Sequence, residues 1–556
     1  MPSPTLSRKS NQSLTLSENA KRLFQVIYHE QNQEEKDDDE IPKIKVSELV
    51  SKMSFYYEKI RNMVDYEEEY LLRKNAIERI LRRQIVIEGK ITEVISKELN
   101  IPEISKHLIT ELISAAYLPN NKIPESKINE ISKIINKYLI LKKYFLIEFK
   151  DLKINEKNEI VKWIIALLAS DIEENLGRSR VDLTVVDYMF ELLAGGITLP
   201  KNSPYEDDRK IQIFIGIYRN FLKFDQGMMS HILFKYYNRG WSGCDERAVE
   251  SVAKNIIDLK DKIQEQINHP LAGQLNRIIS RYTVFFSMLV DAIEENPEDV
   301  YTSFKNDPKA LDRSIKKVCK KKYGEVRKKL WRAAIRSIIY IFITKSVFAI
   351  ALEVPANKWL GEELNAFSLL INIAFPAILL FFVVLFTKFP SDDNSVKVVS
   401  GIEGVIFLEK QEEIKHKLRK PAKRSAVLHT IFGLIYAVTF FLSFGAIIWA
   451  LDKINFSWVS MVIFLFFLAF VSFFSIRIRK GARELMVLES KEKFLTLLID
   501  FFYVPIIEAG KWLSEKFSKI NVFVFIMDVI IEAPFKIFIT VAEEWTKYVR
   551  ERKDEI

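Results

Sequence analysis

AFSLLINIAFPAILLFFVVLF, the stretch Ala366–Phe386, decides the fold class of this chain. No charged residue interrupts it, and a helix needs about 20 mostly apolar residues to cross the hydrocarbon core of a bilayer. The stretch therefore predicts a membrane-spanning helix. In the whole chain, hydrophobic residues make up 49% and charged residues 28%, a mixture that indicates a soluble part joined to a membrane part.

Three further stretches approach the same length and apolar character. They are Ala333–Val354, Ala426–Leu451 and Phe456–Ile476. The first is the weakest of the four, because Arg336 lies near its start and Lys345 near its middle. We therefore predict a transmembrane region of four helices over residues 331–480, with a cytoplasmic loop at 390–425.

The distribution of basic residues predicts the orientation of these spans. A basic run precedes the first span and includes Lys316, Lys317, Lys320, Lys321, Lys322, Arg327, Lys328 and Lys329. Basic residues also follow the second and fourth spans, whereas the links after the first and third spans hold few. Because cytoplasmic loops carry the excess of Lys and Arg, this alternation predicts a multi-pass protein of the plasma membrane with both termini in the cytoplasm.

Four tryptophans agree with this topology. Trp331 falls at the predicted inner interface, and Trp359, Trp449 and Trp458 fall at the outer one. Amphipathic indole rings are enriched at such interfaces.

The basic run also predicts a partner. The formal net charge is +9, and basic excess suits either nucleic acid or an anionic membrane surface. Because the charge adjoins the predicted membrane region, we expect those eight residues to contact anionic lipid, at ~1 kcal/mol each near the surface. We expect no binding to nucleic acid.

The region before the spans has the periodicity of amphipathic helices, with only 17 Gly and 17 Pro in the whole chain. Residues 1–44 read as a flexible N-terminal tail with a short helix and an acidic linker. Residues 45–330 read as a cytoplasmic α-helical domain, which a Gly- and Pro-containing loop at 195–208 could divide. The predicted fold class is all-α.

The sequence patterns of two other segments are less specific about structure. Within the 390–425 loop, Val398–Phe407 is compatible with a β-strand, and a basic helix is expected over Glu409–Lys420. In the C-terminal segment 481–556, the apolar stretches Phe494–Ile507 and Val522–Ala542 each contain an Asp and a Pro. We expect interfacial amphipathic helices there, with a re-entrant pair as the alternative.

Motifs of catalysis and of cofactor binding do not occur in the sequence. It has no phosphate-binding glycine loop, no Rossmann fingerprint and no HExxH. The six histidines are scattered, and Cys244 and Cys319 form no CxxC pair, so no metal site or disulfide framework is predicted. Asn238–Arg247, which concentrates Gly, Trp and Cys, is best read as a structural turn. We predict no catalytic, cofactor-binding or metal-binding residues.

Lys345 is the residue with the most informative position, since ionisable groups at mid-membrane depth are rare and often functional. Asn372 in the second span could form a hydrogen bond with it, and Glu353 lies about two turns away at the outer end. The leading functional hypothesis is a membrane-anchored helical scaffold that binds a partner on the cytoplasmic face. The alternative is an oligomeric channel or transporter with a polar contact at Lys345 and Asn372. An enzyme of lipid metabolism is third.

Overall fold

A computed structural model of the chain is 81% helical with almost no strand, which confirms the all-α prediction. The structure describes residues 15–33, 42–47, 51–58 except 53 and 57, 69–88, 100–295 except 178, 308–487 except 363–364, 412–414 and 421–425, 494–519, and a few residues within 541–553. The predicted stretch Val522–Ala542 therefore lies almost wholly outside the described residues.

The described residues of the N-terminal half are mostly helical. The helix bounds are α1 Glu18–Gln33, α2 Glu69–Leu81, α3 Ile101–Ser114, α4 Ser126–Glu148, α5 Ile154–Asn175, α6 Arg180–Gly196, α7 Arg209–Asn220, α8 Gln226–Tyr237, α9 Glu246–Lys254, α10 Ile256–Ile267 and α11 Ala272–Glu295. A π-helical turn, Arg82–Glu88, continues α2. The helical pattern over 245–268 is divided at Asn255 into α9 and α10.

Polar side chains begin several of these helices. Ser179, Asp225 and Asp245 each accept a hydrogen bond from a backbone N–H in the first turn of α6, α8 and α9, which satisfies a donor that the helix itself cannot. Asp245 lies in the segment Asn238–Arg247, which was predicted to be a structural turn. In that turn Gly240 adopts a left-handed φ of 88°, and Trp241 is buried with its Nε1 donating to the Tyr138 hydroxyl at 3.1 Å.

The C-terminal half contains the apolar helices. Their bounds are α12 Pro308–Phe348, α13 Val354–Trp359, α14 Ala366–Leu385, α15 Asp392–Ile406, α16 Leu408–Gln411, α17 Ala426–Asp452, α18 Trp458–Glu484 and α19 Phe494–Lys519. A π-helical turn, Ala349–Glu353, joins α12 to α13. Within the described residues, four helical stretches are long and apolar enough to cross a membrane: Leu311–Trp359, Ala366–Leu385, Thr430–Lys453 and Trp458–Glu484.

The loop between the second and third spans differs from the prediction. Val398–Phe407 was expected to be β-compatible, but all but its last residue belong to the helix α15. Val398, Ile402, Val405 and Ile406 recur at helical spacing and are buried on one face, and this packing overrides their preference for strands. The basic helix predicted over Glu409–Lys420 is wrong as well. Among the described residues of that stretch only those of α16 are helical, and the strand β2, His416–Lys417, pairs in parallel with β1, Ile197–Thr198.

The described chain divides into two compact units. One comprises Met1–Ser17, Ser280–Ile414 and Lys420–Asn521, and the other comprises Glu18–Ile279, Lys415–Arg419 and Val522–Ile556. In the first unit α12 packs against α14, α15 and α18, while α19 packs against α17 and α18. In the second, α1 packs on α6, α4 on α5 and α9, and α8 on α5 and α10.

The helix α19 packs closely on the spans. A Cβ built on Gly510 would lie 1.9 Å from the carbonyl oxygen of Ala469, midway along α18. The Ser443 hydroxyl of α17 donates to the carbonyl of Phe502 at 2.8 Å. The interfacial location of Phe494–Ile507 remains a prediction, and the structure adds that this segment contacts the middle of two apolar helices.

Candidate functional site

Seven polar side chains form a cluster among the apolar helices of the first unit; six of them are buried and Ser457 is half-buried. This polar cluster comprises Lys345, Glu353, Asn357, Ser368, Asn372, Ser457 and Ser460. Lys345, Glu353 and Asn372 each have a relative exposure of 0%. Six members lie toward the end of the helices that carries Trp359 and Trp458, here called the tryptophan end. Lys345 lies deeper, 14 positions before Trp359 or ~21 Å along a helix.

Glu353 is the centre of the hydrogen bonds in the cluster. Its Oε1 accepts from the Ser460 hydroxyl at 2.6 Å and from Asn372 Nδ2 at 2.7 Å. Asn372 Nδ2 also donates to the carbonyl of Ser460 at 3.3 Å. These bonds tie the π-helical turn to α14 and α18, so three helices meet at one carboxylate.

The π-helical turn explains why Glu353 and Lys345 point the same way. Eight positions separate them, which is ~2.2 turns of an α-helix and would leave their side chains ~80° apart around the helix axis. The π-helical segment Ala349–Glu353 has more residues per turn than an α-helix. The eight positions from Lys345 to Glu353 therefore span close to two full turns. Both side chains consequently face the interior of the helix packing.

Lys345 does not have the partner that the sequence suggested. Its Nζ lies 3.9 Å from the centroid of the Phe467 ring and has no hydrogen-bond partner within the described part of the chain. The expected hydrogen bond with Asn372 is therefore wrong: Asn372 Nδ2 donates to Glu353, and Asn372 Oδ1, the atom that would accept from the ammonium, has no partner among the described residues. The ring face of Phe467 attracts the ammonium group, but it accepts no conventional hydrogen bond.

A second layer of the polar cluster closes the tryptophan end. The Ser457 hydroxyl donates to Asn357 Oδ1 at 2.8 Å, and Asn357 Nδ2 donates to the Ser460 hydroxyl at 3.3 Å. Together with Glu353, Asn365 and Ser368, these residues line a narrow crevice that has no enclosed space large enough for a water molecule. The layer separates Glu353 from the surface at this end.

Several buried polar atoms of these helices lack a partner among the described residues. Three belong to the polar cluster: Lys345 Nζ, Glu353 Oε2 and Asn372 Oδ1. A fourth, Ser472 Oγ, lies farther along α18, beside the buried Ser475. Buried polar groups are almost always satisfied, so such a group requires an explanation such as an exchangeable proton, ion or water.

The eight residues predicted to contact lipid all lie on α12, which runs without a break from the basic run into the first span. Some are engaged by acids: Lys316 Nζ lies 2.9 Å from Asp312, Lys321 lies 3.0 Å and Lys317 3.5 Å from Glu295, and Lys322 pairs with Asp291. The Arg327 guanidinium lies 5.6 Å from the Phe389 ring centroid. Lys320, Lys328 and Lys329 are exposed.

The second unit contains a separate cluster of ionisable groups. Asp171 and Glu174 of α5 and the buried His231 of α8 each offer a ligand atom within 4.8 Å of the others, a combination that could hold a metal ion. However, Lys235 Nζ lies 3.0 Å from Glu174 and Lys137 Nζ lies 3.8 Å from Asp171. Because two ammonium groups already balance the two carboxylates, we propose no metal site there.

The surroundings of this second cluster are largely apolar. Burial lowers the pKa of Lys137, opposed by the charge of Asp171. Burial also raises the pKa of Tyr138 well above its ordinary value, so its hydroxyl stays protonated. Sequence reasoning treated His231 as an ordinary histidine, and 57 positions separate it from Glu174. Only the packing of α5 against α8 brings these two residues together.

Comparison with known proteins gives no relative: no family model, no curated protein and no solved structure matches the chain.

Proposed function

We propose that this protein is a membrane transport protein, a channel or transporter, and that the polar cluster is where a small ion passes between the spans. The observation that carries the proposal is the set of three fully buried side chains, Lys345, Glu353 and Asn372, that each retain an unpartnered polar atom. Ionisable residues inside spans typically mark ion pathways and proton relays.

A purely structural role explains these atoms less well. A network that only holds helices together gains most when every buried donor and acceptor is paired, since an unpaired buried group costs about 1–3 kcal/mol. Here Oε1 of Glu353 accepts two hydrogen bonds, while its Oε2 accepts none from the described residues. Such an arrangement supports a site with one open coordination position.

The proposal includes the topology predicted from the basic residues. The spans lie in the plasma membrane, both termini face the cytoplasm, and the tryptophan end faces outward. Self-association of the four spans is part of the proposal, because four helices enclose little space for a pore. The C-terminal helix α19 is amphipathic and associates with the membrane.

A reconstitution experiment tests this function. The purified chain is placed in liposomes, and the flux of protons, sodium, potassium, chloride and magnesium is measured for the wild type, Lys345→Met and Lys358→Met. Lys358 is an exposed lysine near the tryptophan end and is the matched control. We expect flux of at least one ion that Lys345→Met abolishes and Lys358→Met preserves. No flux of any ion, or flux that both variants retain, would contradict the proposal.

A membrane-anchored scaffold is the second candidate, and an apolar turn on the helical unit favours it. Ile154 has a relative exposure of 77%, and Ile147 and Leu146 have exposures of 49% and 37%. They lie at the turn between α4 and α5, beside Lys150 and Lys153. This mixture suits a partner protein whose apolar face is bordered by acidic residues.

The scaffold is tested with a photo-crosslinking residue at position 154 in living cells, and with the same residue at position 157 as a control. We expect one stoichiometric protein adduct from position 154, lost when Ile147 is changed to Asp. An equal pattern of adducts from both positions would contradict a specific partner.

A further inference from the structure

We infer that the species handled by the polar cluster is a proton, carried in turn by the Glu353 carboxyl and the Lys345 amine. This inference rests on the proposed transport function and names its ion. Three features of the cluster support it: the small space around Glu353, the polar atoms without a partner among the described residues, and the lack of ionisable residues in the sequence of the neighbouring spans α14 and α18 up to Ile476.

The space around Glu353 favours a proton over a larger ion. The crevice lined by Glu353, Asn357, Ser368 and Ser460 holds no room for a water molecule. A hydrated ion does not fit there, and a dehydrated divalent cation would need about six oxygen ligands. One oxygen of Glu353 already accepts two hydrogen bonds, so the carboxylate has one oxygen left to offer a cation.

The open atoms match the two ends of a proton transfer. In the transfer the O–H bond at Glu353 Oε2 breaks and an N–H bond forms at Lys345 Nζ, so a neutral acid and amine become a carboxylate and an ammonium. No net charge enters or leaves the pair in this step. Both atoms lack a hydrogen-bond partner within the described residues, so neither must break a bond before the proton moves.

The lysine side chain supplies the motion that the transfer requires. Its amine lies 3.9 Å from the Phe467 ring, deeper than Glu353. The four-carbon stem has several rotatable bonds, so the amine can swing between the ring and the carboxylate while the backbone stays fixed. The ring attracts an ammonium without holding it through a directional hydrogen bond.

Few other ionisable groups could compete with Glu353 and Lys345 for the proton. The sequence of α14 has no ionisable residue, and that of α18 has none from Trp458 to Ile476. At the tryptophan end, Lys358 is exposed, and Glu362 Oε2 accepts from the backbone N–H of Trp458 at 3.0 Å. Asp500 and Tyr503 lie on α19, which packs on α18, but Glu353 and Lys345 are the fully buried acidic and basic side chains in the described part of the spans.

Polar atoms continue beyond Lys345 toward the opposite end. Ser472 and Ser475 are buried on α18, and the Ser475 hydroxyl donates to the Ser472 carbonyl at 2.7 Å. Arg479, one turn farther, donates from Nε to the Ser475 carbonyl at 3.3 Å. These groups mark the side from which Lys345 would exchange its proton with the cytoplasm.

Infrared difference spectroscopy of the full chain in nanodiscs, between acidic and alkaline buffer, tests the inference. We expect a carboxylic acid C=O band that disappears in Glu353→Gln and persists in Glu362→Gln. Lys345→Met should increase this band at neutral pH, because the carboxyl then lacks a neighbouring ammonium. If Glu353→Gln does not fold, Glu353→Asp serves instead and should move the band without removing it.

The outcomes separate the two proposals. A band that is unaffected by changes at Glu353 overturns the inference. If liposomes then show flux of another ion, the transport function still stands. A band from Glu353 without flux of any ion supports proton binding and contradicts transport. The absence of both band and flux overturns both proposals.

Discussion

The Ser460 hydroxyl donates a 2.6 Å hydrogen bond to Oε1 of Glu353, across 107 positions of sequence. It joins the first turn of α18 to the π-helical turn between α12 and α13, within the long first span. Asn372 of α14 donates to the same oxygen. One carboxylate oxygen therefore joins three apolar helices, and the other has no hydrogen-bond partner among the described residues.

Removing the Ser460 hydroxyl should destabilise this part of the protein. Ser460→Ala takes one of two donors from a fully buried carboxylate, and hydrogen bonds to charged groups contribute about 1.5–3 kcal/mol. Thermal unfolding in detergent should show a lower midpoint. Ser346→Ala is the matched control, since that hydroxyl donates to the carbonyl of Phe342 in its own helix. An equal decrease in the unfolding midpoint of both variants would show that the hydrogen bond to Glu353 stabilises the protein no more than one within a single helix.

Gly510 should tolerate no side chain. Gly510→Ala would put a Cβ 1.9 Å from the Ala469 carbonyl oxygen, a backbone atom that cannot rotate away, so α19 must separate from α18. We expect a clear loss of stability and faster proteolysis of the C-terminal segment. Gly445→Ala in α17 is the control, because nothing lies within 4 Å of its built Cβ. There the change should be neutral or stabilising by up to about 1 kcal/mol.

The helical unit should lose stability in mild acid through His269. Its Nδ1 accepts from the backbone N–H of Leu271 at 3.2 Å, and burial lowers the pKa of the imidazole, opposed by Asp208. Because the pKa is lower in the folded chain, this contribution to stability is complete above the ordinary value of 6.5 and is lost as the pH falls through the lowered value.

Unfolding midpoints of the full chain at about pH 7 and about pH 5 measure this effect. His269→Asn, whose side-chain oxygen can replace Nδ1 as acceptor, should reduce the difference between the two midpoints. His107→Asn changes a histidine with an exposed side chain and should leave the difference as it is. A difference unchanged in His269→Asn would refute the assignment.

The binding of anionic lipid should depend more on some basic residues of α12 than on others. Lys320, Lys328 and Lys329 are exposed, whereas Lys317 and Lys321 share Glu295. Changing the first three to Gln should weaken lipid binding by up to ~1 kcal/mol per residue. Changing Lys317 and Lys321 should weaken it less, because their charges are already partly balanced. Native mass spectrometry of the lipid that each variant retains measures the difference. An equal loss of bound lipid per changed residue in both sets would contradict the prediction.

The spans and most helices could be predicted because their signals are local. An uninterrupted apolar stretch such as Ala366–Phe386 has few alternatives to a spanning helix. The helix α15 was missed for the opposite reason, since Val398, Val399 and Ile402 favour strands and only their shared buried face makes them helical.

The candidate site could be predicted only in part. Lys345 and Asn372 were identified by their polarity within apolar stretches. Glu353 was noticed merely as an acid at the outer end, because its partners lie 19 and 107 positions away. Nothing in the sequence Ala349–Glu353 indicates a π-helical turn, which brings the side chains of Glu353 and Lys345 closer to one line along the helix.

Proton flux into liposomes under an imposed pH gradient tests the central claim most directly, with Glu353→Gln, Lys345→Met and the control Glu362→Gln measured beside the wild type. The account predicts acidification by the wild type and by Glu362→Gln, and none above protein-free liposomes for the other two variants. Acidification at the wild-type rate by Glu353→Gln or Lys345→Met would contradict it.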